Sequence, residues 1–244
     1  MRNIKLVLEY DGTRYQGWQR SGKDSNTGTV SEKLLDVIHR MTGEDIDLFC
    51  ALRTEAGVHA AAQTVNFKTE SFLSVSEMSE YLNHYLPQDI VVLSVEDMPE
   101  RFHAGLNTKS LTYLYRIQIG PVADVFRRKF TCHLTEMPDI VRMKDASLSL
   151  IGKHDFSAFS SAKKKKGTVK ELYSIDILCK EDELQFVLKG NDFLHQMPRC
   201  IIATLLDIGY GRKNVDCISS IFEKTTQASA PVPACGLCLY NVSW

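Results

Sequence analysis

A loop around residue 55 carries side chains that could act together in catalysis. Residues 51–62 contain an arginine (Arg53), a carboxylate (Glu55) and a histidine (His59), and Gly57 interrupts any regular periodicity. A carboxylate in such a place can serve as a nucleophile or as a general base. The sequence therefore indicates a carboxylate-dependent site.

The surrounding sequence predicts the elements that hold this loop. An apolar run at residues 46–52 and an alternating run at 64–68 predict one strand on each side of it. Catalytic groups concentrate in loops that a rigid sheet holds in place. Further strands are predicted at residues 4–10, 90–95, 111–119, 168–179, 184–189 and in the tail 230–242, and helices at 29–43, 78–86, 140–151 and 193–208.

Length and hydropathy indicate a globular protein in the cytoplasm. The chain has 244 residues, of which 44% are hydrophobic, enough for two domains of unequal size. No run approaches the roughly 18 apolar residues of a membrane-spanning helix. Residues 1–10 alternate as a strand does and do not resemble a signal peptide. We expect a soluble, cytoplasmic protein.

The cysteines indicate a reducing compartment and no metal site. Their number, seven, is odd, so complete intramolecular pairing is impossible. Cys235 and Cys238 have CxxC spacing, but a tetrahedral zinc site needs four ligands, and no second CxxC or histidine pair accompanies them. We interpret these two cysteines as small buried hydrophobic side chains.

The net charge of the chain does not indicate a nucleic-acid partner, but two local stretches could contact nucleic acid. The chain has 29 basic and 30 acidic side chains, a net charge of −1. The run Lys163–Lys166 could contact phosphates, and it fits a solvated loop equally well. Residues 13–20 mix aromatic side chains with arginines and glycines, which suits stacking on bases and binding of phosphates. The alternative for residues 13–20 is an ordinary surface loop with Trp18 in the core.

Several of these stretches resemble the motifs of one enzyme family. Residues 53–60, RTEAGVHA, resemble the signature GRTDAGVHA of the tRNA pseudouridine synthase A family, and residues 10–19, YDGTRYQGWQ, resemble its first motif. The stretches that resemble further family motifs, in the same order, are RFHA (101–104), HDFSAF (154–159), FLHQMPR (193–199), LLDIGYGR (205–212) and the tail APVPACGLCLYNV (230–242).

The resemblance implies an isomerase that needs no cofactor. Members of this family detach uracil from ribose C1′, rotate it and rejoin it through C5, at uridines 38 to 40 in the anticodon stem-loop of tRNA. The target uridine must leave its stack to enter the active site. The resemblance also implies a homodimer whose two subunits grip one tRNA.

The same resemblance assigns site residues. It places Glu55 at the catalytic aspartate, Arg199 at the arginine that fixes this carboxylate, and Tyr113 at the tyrosine that packs against the base. On the residue pattern alone, Tyr113 is one of five apolar alternators at residues 111–119, for which core packing is the default interpretation. The residues expected to bind the tRNA substrate are Arg14, Tyr15, Trp18, Gln19, Arg20, Arg53, His59 and Tyr113.

Three departures from the family pattern bear on activity. Glu55 stands where the family has aspartate, and its extra methylene moves the carboxylate by roughly 1 Å, a displacement that can cost ~10²-fold in rate. Two positive charges expected after residue 104 are missing. Pro198, beside Arg199, either lies in the first turn of its helix or kinks that helix.

We therefore predict a tRNA pseudouridine synthase and keep other functions open. The alternative is a catalytically silent paralogue that binds tRNA or a protein partner through the same cleft. A carboxylate-dependent enzyme acting on another substrate is a third interpretation, for which no other motif argues.

The expected fold is α+β, with two domains at residues 1–107 and 108–244. Each domain is expected to be a mainly antiparallel sheet with helices on one face. The first would carry the RNA-contacting loop and Glu55, and the second would supply Tyr113 and Arg199. The two sheets are expected to form a shared RNA-binding cleft.

Overall fold

The computed structural model describes residues 1–19, 28–161 and 167–244. The predictions made for Arg20 and for the run Lys163–Lys166 lie outside the described residues. The chain forms two compact units. Unit 1 consists of Met1–Lys109 and Cys238–Trp244, and unit 2 consists of Ser110–Leu237.

The strands of unit 1 pair in the order β4, β1, β3, β10, with β2 also paired to β3. Strand β1 runs antiparallel to both β3 and β4. Strand β10 runs parallel to β3 and pairs Cys238 with His59 and Leu239 with Ala60. Alternate residues of β1, such as Ile4 and Leu6, are fully buried, so the period of two in the sequence builds the core. The strands are β1 (Arg2–Tyr10), β2 (Phe49–Cys50), β3 (His59–Thr69), β4 (Ile90–Met98) and, at the end of the chain, β10 (Leu237–Ser243).

The longer helices of unit 1 begin and end where side chains or glycine satisfy their backbone. Thr29 Oγ1 accepts a hydrogen bond from Glu32 N at the start of α1, and Gly43 ends that helix with a φ of 75°. Ser74 and Glu77 form a reciprocal capping box at the start of α2. The helices are α1 (Val30–Thr42), α2 (Val75–Tyr85) and the single turn α3 (Ala104–Asn107).

The strands of unit 2 pair in the order β5, β9, β8, β7. Its neighbouring strands are antiparallel, and the short β6 pairs with β5 in parallel. The strands are β5 (Ser110–Ile119), β6 (Cys132–Leu134), β7 (Gly152–Asp155), β8 (Val169–Lys180) and β9 (Glu183–Gly190). The helices are α4 (Ile140–Leu148), α5 (Met197–Gly209) and α6 (Cys217–Phe222).

The start of α5 shows how Pro198 is accommodated. Pro198 lies in the first turn, where the backbone N–H that proline lacks would have no partner within the helix. The first of the two predicted alternatives is therefore confirmed. Gln196 precedes the helix in the left-handed conformation, with a φ of 63°. Arg199 consequently belongs to the first turn of α5.

The α+β fold class and its mainly antiparallel pairing are confirmed. The domain boundary after residue 107 and the shared cleft stay predictions. Within residues 1–19, 28–161 and 167–244, no helix is long and apolar enough to cross a membrane. The same residues contain no group of three or more His, Cys, Asp or Glu side chains that could hold a metal ion.

Candidate active site

The Glu55 loop, residues 51–58, connects β2 to β3 in unit 1. Arg53 is exposed, Thr54 is buried and Glu55 is half-buried. The carbonyl of Glu55 accepts a hydrogen bond from Val58 N at 3.1 Å, and Gly57 within this turn has a φ of 75°. Glu55 is therefore carried by a closed turn directly before the long strand β3.

Segment 10–18, which is the first family-like motif without its last residue, Gln19, packs against the Glu55 loop. Trp18 N donates to Thr54 O at 3.0 Å, and Gly57 N donates to Tyr15 O at 3.2 Å. A Cβ on Gly17 would lie 2.6 Å from Thr54 O and 3.0 Å from the carbonyl carbon of Glu55, and the φ of Gly17 is 93°. Only glycine lets the two backbones approach this closely.

Two side chains of the sheet also hold the loop. The Tyr10 hydroxyl lies 2.7 Å from Thr54 Oγ1 in a buried contact. Gln63, on β3, donates from Nε2 to Leu52 O at 2.7 Å. Burial raises the pKa of Tyr10, against the opposing effect of hydrogen bonds to Thr54 and Gln63. The phenol is therefore protonated at neutral pH.

His59 joins segment 10–18 to the far end of the Glu55 loop. Its side chain is buried, and Nδ1 accepts a hydrogen bond from Gly12 N at 3.0 Å, so the neutral ring carries its proton on Nε2. Asp11 Oδ1 lies 3.3 Å from the same Nδ1. A Cβ on Gly12 would lie 2.0 Å from Val58 O. His59 thus contributes to the fixed geometry of the loop, and its predicted contact with tRNA stays a prediction.

The residues of the first family-like motif, 10–19, that were predicted to bind tRNA differ in exposure. Trp18 is 1% exposed and Tyr15 is 4% exposed, so both rings pack in the core of unit 1, the alternative that the residue pattern left open for Trp18. Arg14 and Gln19 are exposed. Arg14 Nη2 lies 2.9 Å from Asp89 Oδ1, which also accepts from the Tyr15 hydroxyl at 2.7 Å. A phosphate would therefore compete with Asp89 for Arg14.

Unit 2 contains Tyr113, the predicted contact to the base. Its side chain is buried on β5, and its ring meets that of Phe193 edge to face, with centroids 5.2 Å apart. Gly190 leaves room for Phe193, because a Cβ there would lie 3.4 Å from Phe193 Cζ and 2.8 Å from Glu171 O. The orientation of Tyr113 is thus supported by an aromatic neighbour that follows β9.

Unit 2 also contains Arg199, which is half-buried. Its Nε donates to Val232 O at 2.7 Å. The next carbonyl, that of Pro233, accepts from the Tyr115 hydroxyl at 2.9 Å. Because Nε is bound to the backbone, rotation of the guanidinium is restricted. The predicted pairing of Arg199 with Glu55 stays a prediction.

The thiol beside Arg53 is a poor candidate for the nucleophile. Burial raises the pKa of Cys50 to about 11, although the Arg53 guanidinium acts in the opposite direction. A thiol with this pKa is protonated at neutral pH and reacts slowly. Carboxylate chemistry by Glu55 is what the loop can offer.

The structure brings Arg53, Glu55 and His59 together with segment 10–18. Two hydroxyls that link these segments, those of Tyr10 and Thr54, were not predicted from the sequence. A signal for Tyr10 was present, because it is a polar group that ends an apolar alternation directly before a turn. Nothing in the sequence marked Thr54 as its partner.

Similarity to known proteins extends over the whole chain. A family model described as tRNA pseudouridine synthase matches residues 6–105 and 146–244. The chain is 40% identical to tRNA pseudouridine synthase A 2 of Bacillus cereus over 247 residues, which is 100% of both chains. It is 42% identical to tRNA pseudouridine synthase A 1 of Clostridium tetani, also over 247 residues and 100% of both chains.

The chain is similarly close to a second protein of Clostridium tetani. The protein named tRNA pseudouridine synthase A 2 of the same Clostridium tetani strain is 39% identical over 241 residues, covering 98% of this chain and 97% of the relative. The matched regions include the Glu55 loop, segment 10–18 and the first turn of α5. On these matches, the chain belongs to the tRNA pseudouridine synthase family of isomerases.

Proposed function

We propose that this protein converts uridine to pseudouridine at positions 38 to 40 in the anticodon stem-loop of tRNA, without a cofactor. Family membership supports the reaction, and the names of the relatives give tRNA as the substrate of those proteins. The observation that carries the proposal is the Glu55 loop, a closed turn that presents a carboxylate from a backbone fixed by segment 10–18.

The reaction requires a group that acts on the sugar. The bond between C1′ and N1 breaks and a bond between C1′ and C5 forms; the hydrogen on C5 leaves as a proton while N1 gains one. Glu55 would attack C1′ or remove a proton from the ribose. Arg199 would hold this carboxylate in its charged form. Tyr113 would pack against the uracil and assist removal of the C5 proton.

Binding of tRNA is assigned to exposed side chains near the loop. Arg53 is exposed two residues before Glu55, and Gln19 and Arg14 are exposed on the adjoining segment. Arginine binds phosphate oxygens through its fork of donors. We also propose that two copies of the chain grip one tRNA, as the family resemblance implies. Trp18 and Tyr15, which are buried, would contribute to tRNA binding indirectly, because they hold the backbone beside Arg14 and Gln19.

The silent paralogue remains the rival because of one residue. Glu55 replaces the aspartate of the family signature, while the residues that hold its backbone are present. A protein that keeps its scaffold after losing its chemistry would show this pattern. The enzyme and the silent paralogue make opposite predictions for a single assay.

The assay is tritium release from an anticodon stem-loop labelled at C5 of uridine, under single-turnover conditions. Wild-type protein should release tritium and Glu55→Gln should not, because the amide can neither attack nor accept a proton. Glu100→Gln, at an exposed position, is the control for the loss of one negative charge. Binding of the stem-loop without tritium release by wild type would overturn the enzyme and support the silent paralogue.

A further inference from the structure

We propose that Tyr10 is a positioning residue for Glu55 and that it acts through the Thr54 hydroxyl. The proposal rests on the catalytic role proposed above for Glu55. It concerns a side chain on β1 that lies 45 positions before Glu55 in the chain. Thr54 is the residue through which the two are connected.

Thr54 is bound on its backbone and on its side chain. Its carbonyl accepts from Trp18 N at 3.0 Å, and its Oγ1 lies 2.7 Å from the Tyr10 hydroxyl. The residue is buried, and so is the Tyr10 ring. A hydrogen bond between two buried hydroxyls is directional, and no bulk water replaces it when one partner is removed.

The constraint on Thr54 is passed to Glu55 through one peptide bond. This bond is planar, so a fixed Thr54 leaves few positions for the Glu55 Cα. Gly17 fills the space on one side of this peptide, where even a Cβ would meet the Thr54 oxygen and the Glu55 carbonyl carbon. On the other side, Glu55 O is bound to Val58 N at 3.1 Å. The hydrogen bond between the Thr54 side chain and Tyr10 then restrains the backbone torsion angles of Thr54.

Loss of the Tyr10 hydroxyl should therefore loosen the Glu55 loop without changing the surface that tRNA meets. Tyr10→Phe keeps the ring in the core and removes one oxygen. A displacement of the carboxylate by about 1 Å is enough to slow a reaction by ~10²-fold. The binding contacts proposed for Arg14 and Gln19 lie outside the Glu55 loop and do not depend on this oxygen. The expected signature is a slower chemical step with unchanged affinity.

The first test measures single-turnover conversion of the anticodon stem-loop at saturating enzyme, and its dissociation constant separately. Tyr10→Phe and Thr54→Val should each slow conversion by about 10- to 100-fold, with dissociation constants within about 2-fold of wild type. The double variant should be no slower than the slower single variant, since both remove one interaction. Thr54→Ser keeps the hydroxyl and should restore most of the rate.

Thr69→Val is the matched control. Thr69 is a fully buried threonine at the opposite end of β3 from His59, and its Oγ1 donates to Glu44 Oε1 at 2.9 Å. Its replacement removes a partly buried hydrogen bond of a buried threonine hydroxyl from the same unit. It should lower the melting temperature as Thr54→Val does and leave the conversion rate unchanged. Equal slowing by both variants would show a general loss of stability and overturn the proposal.

The second test needs no catalysis. The amides of Trp18, Gly57 and Val58 donate the hydrogen bonds that hold the Glu55 loop, so their hydrogen exchange reports its rigidity. They should exchange about 10-fold faster in Tyr10→Phe and Thr54→Val than in wild type or Thr69→Val. Unchanged exchange overturns the positioning role even if the protein is active. Faster exchange in a protein that converts no uridine retains that role and rejects the proposed function alone.

Discussion

Glu55 reaches one methylene further than the aspartate that the family signature has at this position. A mobile loop could absorb the extra length by moving its backbone. The Glu55 loop cannot do so, because Trp18 N and Val58 N donate hydrogen bonds to the carbonyls of Thr54 and Glu55. The Thr54 hydroxyl is also hydrogen-bonded with that of Tyr10. The additional reach must therefore appear at the carboxylate itself, either as a forward shift or as a folded side-chain rotamer.

Shortening this side chain should therefore raise activity if the rest of the site is sound. We expect Glu55→Asp to increase single-turnover pseudouridine formation, by up to ~10²-fold, because it returns the carboxylate to the position of the family aspartate. The measurement is conversion of an anticodon stem-loop, with Glu100→Asp as the control for a shortened exposed carboxylate. A rate that falls in Glu55→Asp would mean that the surrounding residues have adapted to the longer side chain.

Gly17 allows the close approach of segment 10–18 to the Glu55 loop, and no larger residue would fit there. Gly17→Ala should lower the free energy of unfolding by about 2 to 4 kcal/mol, since it adds a steric conflict with Thr54 O to the cost of a positive φ. Gly43→Ala is the matched control, because Gly43 also has a positive φ but an added Cβ there would have no atom within 4 Å, and it should cost about 1 kcal/mol. Urea unfolding of the two variants makes the comparison, and equal costs would contradict the close approach of the two segments.

At the scale of elements, long periodic segments could be predicted from the sequence, and most short ones could not. The alternation at residues 4–10 and 111–119 corresponds to β1 (Arg2–Tyr10) and β5 (Ser110–Ile119). The apolar run at residues 46–52 predicted a strand, and β2 within it has only two residues. Strand β6, of three residues, is too short to show a period of two, and it forms because it pairs with β5. The single turn α3 has the same difficulty.

The candidate site also has a part that could be predicted from the sequence and a part that could not. Residue types and spacing pointed to Glu55, and the family resemblance added Tyr113 and Arg199. The backbone contacts between segment 10–18 and the Glu55 loop were not predictable, because they join residues about forty positions apart through atoms that every residue has. Trp18 illustrates this, since its aromatic type suited both base stacking and core packing, and only the tertiary structure places it in the core.

Asp155, which ends β7 and caps the 3-10 turn Phe156–Phe159, gives a prediction about pH. Partial burial opposes ionisation of Asp155, but hydrogen bonds from Thr168, Ser157 and the Lys224 ammonium outweigh it and lower its pKa to about 2. A depressed pKa stabilises the fold above the ordinary value of 3.8, and this contribution is lost as the pH falls towards 2. The difference in unfolding free energy between wild type and Asp155→Asn should therefore be constant near neutrality and shrink between pH about 4 and about 2.

Urea unfolding as a function of pH measures this difference. Asp145→Asn, at an exposed position on α4, is the control. A gap between wild type and Asp155→Asn that persists unchanged at pH 2 would contradict the assignment of these hydrogen bonds to the charged carboxylate.

For the whole molecule, the proposed mechanism requires residues of unit 1 and unit 2 to act together. Glu55→Asp and Arg199→Lys both keep their charge and change only reach and geometry. If Arg199 holds the Glu55 carboxylate, the effects of the two changes on single-turnover rate should be non-additive, with a coupling of about 1 kcal/mol or more. Rates that multiply independently in the double variant would show that the two residues do not share a step.

Binding of tRNA by a chain of net charge −1 must depend on local groups of cations. Replacement of Lys163–Lys166 by glutamine should lower tRNA affinity and reduce the dependence of log affinity on log salt by about one for each phosphate that the run binds. A variant with four exposed lysines replaced elsewhere, at positions 68, 144, 180 and 189, controls for the change in total charge. An unchanged slope in the first variant would identify the run as a solvated loop.

The parallel pairing of β10 with β3 has a consequence for folding while the protein is being synthesised. Residues 1–109 leave the ribosome first, yet the strand edge beside His59 receives its partner only when Cys238 and Leu239 have been synthesised. Until then the nascent chain exposes unpaired backbone groups next to the Glu55 loop, the kind of edge that invites wrong pairing. A message cut short anywhere within unit 2 would accordingly yield a product whose first hundred residues are all present and whose site is still unfinished.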